Sequence, residues 1–133
     1  MASIEESIYT TLSTDVSVSA LVSTRVYPLR LPQKPTYPAI TYSIVAGEEF
    51  PAMSVNVDTT SVRVQISCWA TSYTSVKSLS NSVKSAIDRK SGTVGTIEWK
   101  GSFKESEVDL YEQDLSINQN IYQKALDFRI FYD

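Results

Sequence analysis

The order of apolar and polar positions divides the chain into helix-like and strand-like stretches. Ile4, Ile8 and Leu12 recur at four-residue spacing, and this stripe predicts a helix from about Ile4 to Leu12. Ser3-Ile4-Glu5-Glu6 has the form of a capping box, in which the Ser3 hydroxyl takes an orphan amide and Glu6 reaches back to the Ser3 amide. Asp15 can cap a second, shorter helix through Val18, Leu21 and Val22, against the resistance of its β-branched residues. Between Arg25 and Pro38 stand Pro28, Pro32, Pro35 and Pro38. Proline donates no ladder hydrogen bond and forces its predecessor into extended geometry, so this stretch is a loop or edge segment within the domain.

From Ala39 the period changes to two. Ile40, Tyr42 and Ile44 alternate with Thr41 and Ser43 as far as Val45, which predicts a strand. Gly47 to Asp58 is polar and broken by Pro51, yet holds Phe50, Met53 and Val55, and reads as a long hairpin loop. Thr60 to Ala70 is the clearest strand: Val62, Val64, Ile66, Cys68 and Ala70 face one way, and Ser61, Arg63, Gln65, Ser67 and Trp69 the other. Ser72 then caps a long helix with the stripe Val76, Leu79, Val83 and Ile87; Arg89 and Lys90 complement its C-terminal dipole, and Gly92 supplies a left-handed stop. At ~1.5 Å per residue this helix spans about 25 Å, enough to cross a sheet. Gly92-Thr93-Val94-Gly95 is a stop and turn, with no Gly-Lys-Ser/Thr ending of a phosphate loop. Further strands follow at Val94 to Phe103 (Ile97, Trp99 and Phe103 on one face), Glu107 to Tyr111, and Ile121 to Tyr132. The order α-(α)-β-β-α-β-β-β predicts an α+β fold: a mainly antiparallel sheet packed against a long helix and an N-terminal helix, in one domain over residues 1–133.

Composition removes most chemistry. The chain has 133 residues, 12 Lys+Arg against 15 Asp+Glu, no His and one Cys. Ser-His-Asp, Cys-His and His-ligated metal chemistry therefore cannot occur within it. Cys68 lies on the apolar face of the clearest strand and reads as an inert buried thiol, suited to a reducing compartment. No basic stripe points to a nucleic-acid partner, no apolar run approaches a ~20-residue membrane span, and the acidic N-terminus is not that of a signal peptide. Glu98, Glu105, Glu107, Asp109, Glu112 and Asp114 concentrate acid near predicted strands, but without a calcium-type loop, and with Lys100 and Lys104 intermixed. They read as a solvated strand face and turn. No catalytic, cofactor-binding or metal-binding residue is expected. Trp69, on an otherwise polar face, is either an interface residue or covered by the chain's own loop; Phe50 and Met53 favour packing against a neighbour.

Leu21-Val22-Ser23-Thr24-Arg25-Val26-Tyr27-Pro28, Leu31-Pro32-Gln33 and Tyr37-Pro38-Ala39-Ile40-Thr41-Tyr42 resemble the head of the tail-completion proteins of long-tailed bacteriophages, also called tail terminator or head–tail joining proteins. Val64-Gln65-Ile66-Ser67-Cys68-Trp69-Ala70 with Tyr73 is similar to the family's central strand and helix start, and Tyr122 to Tyr132 to its closing strand. Ser23-Thr24 and Lys34 depart from the family's Gly-Asp and Gly, which concerns turn geometry. The resemblance implies a non-enzymatic virion protein, assembled in the bacterial cytoplasm, forming a homo-oligomeric ring, typically a hexamer. The ring would sit at the head-proximal end of the tail, against the tail tube protein and the head connector or stopper, with DNA passing through its lumen. Within that picture Glu48, Glu49, Phe50, Met53, Trp69, Arg25 and Arg30 are expected at interfaces, and Glu105, Glu107, Asp109, Glu112 and Asp114 along or around the channel. Another head–tail connector (stopper or adaptor) and a small cytoplasmic binding module are the alternatives.

Overall fold

The computed structural model describes residues 4–23, 25–32, 36–49, 60–95, 97–114 and 119–132. The chain runs α1 (Ile4–Thr14), α2 (Val16–Val22), β1 (Val26–Pro28), β2 (Ala39–Glu49), β3 (Thr60–Ala70), α3 (Tyr73–Ile87), β4 (Gly92–Val94), β5 (Ile97–Asp114) and β6 (Gln119–Tyr132). The strands form a six-stranded sheet in the order β1-β2-β3-β6-β5-β4. Among the described residues the β1–β2 pair alone is parallel. This is the expected α+β fold.

Local chemistry accounts for the helix starts. The Asp15 carboxylate accepts from the Val18 amide at 3.0 Å, and the Ser72 hydroxyl from the Ser75 amide at 3.2 Å, each satisfying an orphan donor of a first turn. The capping box at Ser3 lies outside the described residues. The apolar faces meet as their periods require: Ile4, Ile8 and Leu12 of α1, Val18 and Val22 of α2, and Val76, Leu79, Val83 and Ile87 of α3 bury against Val62, Val64, Ile66, Cys68, Leu126, Phe128 and Ile130 of the sheet. Trp99 is 1% exposed in this core, and its indole N–H donates to the Ser7 hydroxyl at 2.5 Å. The Lys90 ammonium lies 5.8 Å from its ring centroid.

Part of the proline-rich segment forms β1 at the edge of the sheet, in keeping with its reading as a loop or edge segment. The structure departs from the sequence reading in three places. Residues 47–49, expected in a loop, continue β2, because an irregularity between Ile44 and Ala46 absorbs one residue and lets pairing resume as far as Glu49 opposite Thr60. Residues 50–59 lie outside the described residues. The stop of α3 is not Gly92 but Arg89, at φ 57, while Gly92 opens β4. Contacts to β5 replace a glycine cap: the Arg89 amide donates to the Ser102 carbonyl at 2.7 Å, the Ser102 hydroxyl donates to the Ile87 carbonyl, and the same hydroxyl accepts from the Lys90 amide at 3.0 Å. Finally, the two strands expected between Val94 and Tyr111 are one 18-residue strand, β5, with register shifts at Trp99/Gly101 and Lys104/Ser106. The first shift inverts the alternation. Trp99 therefore faces the helices, while Phe103 faces the other way and packs edge-on against Phe131 with centroids 6.2 Å apart.

Candidate functional site

The sheet face turned away from the helices is polar and tightly bonded at its centre. Arg63 reaches Asp127 at 2.9 Å, Arg129 reaches Glu105 at 3.3 Å, and the Ser106 hydroxyl donates to Asp127 at 3.0 Å. Trp69 is half-buried on this face, and its indole N–H donates to the Thr41 hydroxyl of β2 at 3.0 Å. A cavity of about 210 Å³ opens beside it, lined by Trp69, Leu110, Tyr111, Ile121 and Gln123.

The acidic residues of β5 do not converge on one surface. Glu105 lies on the helix-free face with Arg63 and Arg129. Glu107 faces α3 and pairs with Lys84 at 3.4 Å and Lys104 at 3.5 Å; Asp109 pairs with Lys124 at 3.2 Å. Partial burial alone would raise the Glu107 carboxyl, but Lys84, Lys104 and Lys124 outweigh it and hold the group below the ordinary carboxylate value. Conversely, burial pulls the Lys124 ammonium down, while its hydrogen bond to Asp109 and the charges of Glu107 and Asp109 lift it above the ordinary lysine value. Glu112 and Asp114 stand farther out, opposite Ile121 and Gln119. The last residue of β3, Ala70, pairs with Tyr122, so β5 and β6 run on beyond it as a two-stranded arm.

At the base of that arm three tyrosines cluster. The Tyr111 and Tyr122 centroids are 5.3 Å apart, and Tyr122 meets Tyr73 of α3 edge-on at 6.3 Å. Beside them lies a mainly apolar pocket of about 230 Å³, lined by Tyr73, Val76, Leu110, Tyr111 and Tyr122 with the polar Asp109 and Gln123. Leu110 is 48% and Tyr111 59% exposed, large apolar groups left in solvent at the base of the arm.

The opposite edge of the sheet carries a different feature. Arg25 is fixed within the chain, its Nε donating to the Pro38 carbonyl at 2.9 Å and its Nη2 to the Leu21 carbonyl at 3.3 Å. Leu29 follows β1 at φ 67 and is 78% exposed. Its amide donates to the Tyr42 carbonyl at 2.8 Å, and the Arg30 amide donates to the Pro28 carbonyl at 2.7 Å, closing a three-residue γ-turn around Leu29. Positive φ is unfavourable for a branched side chain, and the turn displays an apolar group to solvent with exposed Arg30 beside it.

Of the other expected interface residues, Glu48 and Glu49 end β2 opposite Ser61 and Thr60, and Phe50 and Met53 lie outside the described residues. Sequence reasoning passed over Leu29 and the arm tyrosines. The only signal for Leu29 was an apolar residue framed by prolines in Pro28-Leu29-Arg30-Leu31-Pro32. Cys68 is fully buried, and burial pushes its thiol up to about 12. Among the described residues no group of three or more Cys, Asp or Glu could hold a metal ion, and no helix is long and apolar enough to cross a membrane.

Comparison with known proteins places these surfaces in context. The model of a family described as Tail completion protein gp17 matches residues 6–133. A solved chain from "Virion of native gene transfer agent (GTA) particle" is 17% identical with a TM-score of 0.66, covering 94% of this chain and 90% of that one. At that identity the likeness is one of fold. No curated protein matches the chain.

Proposed function

The chain belongs to the tail completion protein gp17 family, whose members are structural phage proteins and not enzymes, and from that premise we propose that it forms a ring at the head-proximal end of a phage tail. The ring ends polymerisation of the tail tube and joins the tube to the connector or stopper of the head, with six copies as the expected number. The observation that carries this reading is the family match over residues 6–133. The surfaces agree with it in kind. The fold spends its apolar helix faces on one side of the sheet and leaves exposed apolar groups at the base of an arm at one edge and a displayed leucine at the other, as a subunit with two different contact patches requires. DNA passes through the lumen without specific binding, and the acid-rich stretch Glu105–Asp114 contributes carboxylates along or around that channel.

Immunogold labelling of particles with an antibody against the chain, together with deletion of its gene, tests the proposal. Label at the head–tail junction, with tails of uncontrolled length and unjoined heads on deletion, is the expected result. Label at the distal tail tip, or none on the particle, overturns it. Label at the junction with deletion tails of normal length would instead assign the chain to the stopper or adaptor class.

A further inference from the structure

We infer that Leu29 of one copy seats in the tyrosine-walled pocket at the base of the β5–β6 arm of the next copy, with Arg30 set against Asp109 and the ring of Tyr111. The inference rests on the reading of the chain as a self-assembling subunit and specifies which surfaces meet. On one side, the γ-turn holds Leu29 at φ 67 and 78% exposed, an arrangement unfavourable both for backbone and for solvation unless the side chain has a partner. On the other side, the pocket of about 230 Å³ exceeds the roughly 150 Å³ apolar cavity that accepts a benzene ring, and most of its walls are apolar.

Charge complements shape. Beside Leu29 stands exposed Arg30, with Glu5 the acid that shares its surface, while the pocket carries Asp109. Asp109 is bonded to Lys124 and still keeps 54% of its side chain exposed, so a second cation can approach it. A guanidinium can also stack on the exposed Tyr111 ring as an ammonium cannot. The knob and the pocket cannot meet within one chain. Strands β2, β3 and β6 stand between β1 and β5, a separation of about 19 Å at ~4.8 Å per strand. The contact is therefore made between copies, and repeated head to tail it is of the heterologous type, which gives a ring where the rotation from copy to copy closes.

Sedimentation velocity over a concentration series, on the purified full chain and its Leu29→Gly variant, is the first test. Glycine takes positive φ without strain, so the variant keeps the fold, which circular dichroism checks, and loses only the knob. Wild-type chain is expected to associate, and Leu29→Gly and Arg30→Asp each to weaken association at least tenfold. A second measurement uses the burial of Cys68, which leaves introduced cysteines as the reactive ones. The double variant Leu29→Cys, Tyr111→Cys is expected to give a ladder of linked subunits on oxidation, reversed by reductant. A chain that stays monomeric at every concentration, an oligomer indifferent to Leu29→Gly, or an oligomer in which the cysteine pair never links would each overturn the contact. None of these outcomes moves the place of the chain on the particle, which the gold label reads independently.

Discussion

Cys68 shows how burial settles the chemistry of a single residue. Surrounded by core side chains, its thiol is pushed by desolvation up to about 12 from an ordinary value of 9.0, and the nearby Lys124 and Lys84 charges only partly oppose this. The folded state holds the proton more tightly than the unfolded one. Stability is therefore fully present below pH 9 and falls as pH rises from there towards 12. At pH 8 the native chain is expected not to react with a thiol reagent, and to react fully once denatured. Two more residues have effects that no local pattern reveals. Trp99 and Ser7 are joined by the indole N–H across 92 positions of sequence, so Trp99→Phe leaves a buried hydroxyl short of its donor and a gap behind the smaller ring. The cost is expected at roughly 2–3 kcal/mol in denaturant unfolding. Arg89, exposed and at φ 57, points the other way: Arg89→Gly is expected to raise stability by about 1 kcal/mol.

Elements were legible where side-chain period alone decides them. The helices α1 and α3, and the two faces of β3, follow from spacing because each buries a regular stripe. Irregularity was not legible. β5 hides its continuity in two register shifts, each of which moves one residue out of step and so breaks the alternation a reader depends on. The end of α3 was misplaced for the same reason, since its cap is supplied by Ser102, fifteen positions away, and not by the local glycine. Ser102→Ala removes both the donor to the Ile87 carbonyl and the acceptor for the Lys90 amide in a fully buried place, and is expected to cost about 2 kcal/mol. The candidate surfaces were less legible than the fold: the acids were found as a segment, but their division between two faces, and the exposure of Leu29, depend on tertiary placement. That division has a pH consequence. Because the Glu107 carboxyl lies below its ordinary 4.5, its ties to Lys84 and Lys104 stabilise above that value and fade as pH falls through the lowered one. Lys84→Met is expected to shrink this acid-side loss in an unfolding series from pH 6 to pH 3.

At the scale of the whole molecule, electrostatics bears on how the proposed ring passes DNA. The chain carries a net charge of −3, which a ring multiplies around its axis. A lumen that neither holds nor blocks DNA needs few cations at its wall, because phosphate neutralisation with counterion release would bind the duplex. Not every acid serves equally. Glu105, Glu107 and Asp109 each have a cationic partner within 3.5 Å, so much of their charge is balanced inside the subunit. Glu112 and Asp114 stand on the arm beyond the end of β3, where a change of charge tests whether the arm borders the channel. The double variant Glu112→Lys, Asp114→Lys therefore separates the possibilities. If the arm borders the channel, assembled variant is expected to retain labelled duplex at 50 mM salt, where wild type does not. Its affinity should then fall by about 10³-fold or more by 200 mM, the dependence set by several phosphate contacts acting together. If the arm instead points to the ring's outer surface, lysines spread around the periphery cannot act together on one duplex. Anisotropy titrations of variant and wild type would then coincide, and the channel would have to be lined by other residues.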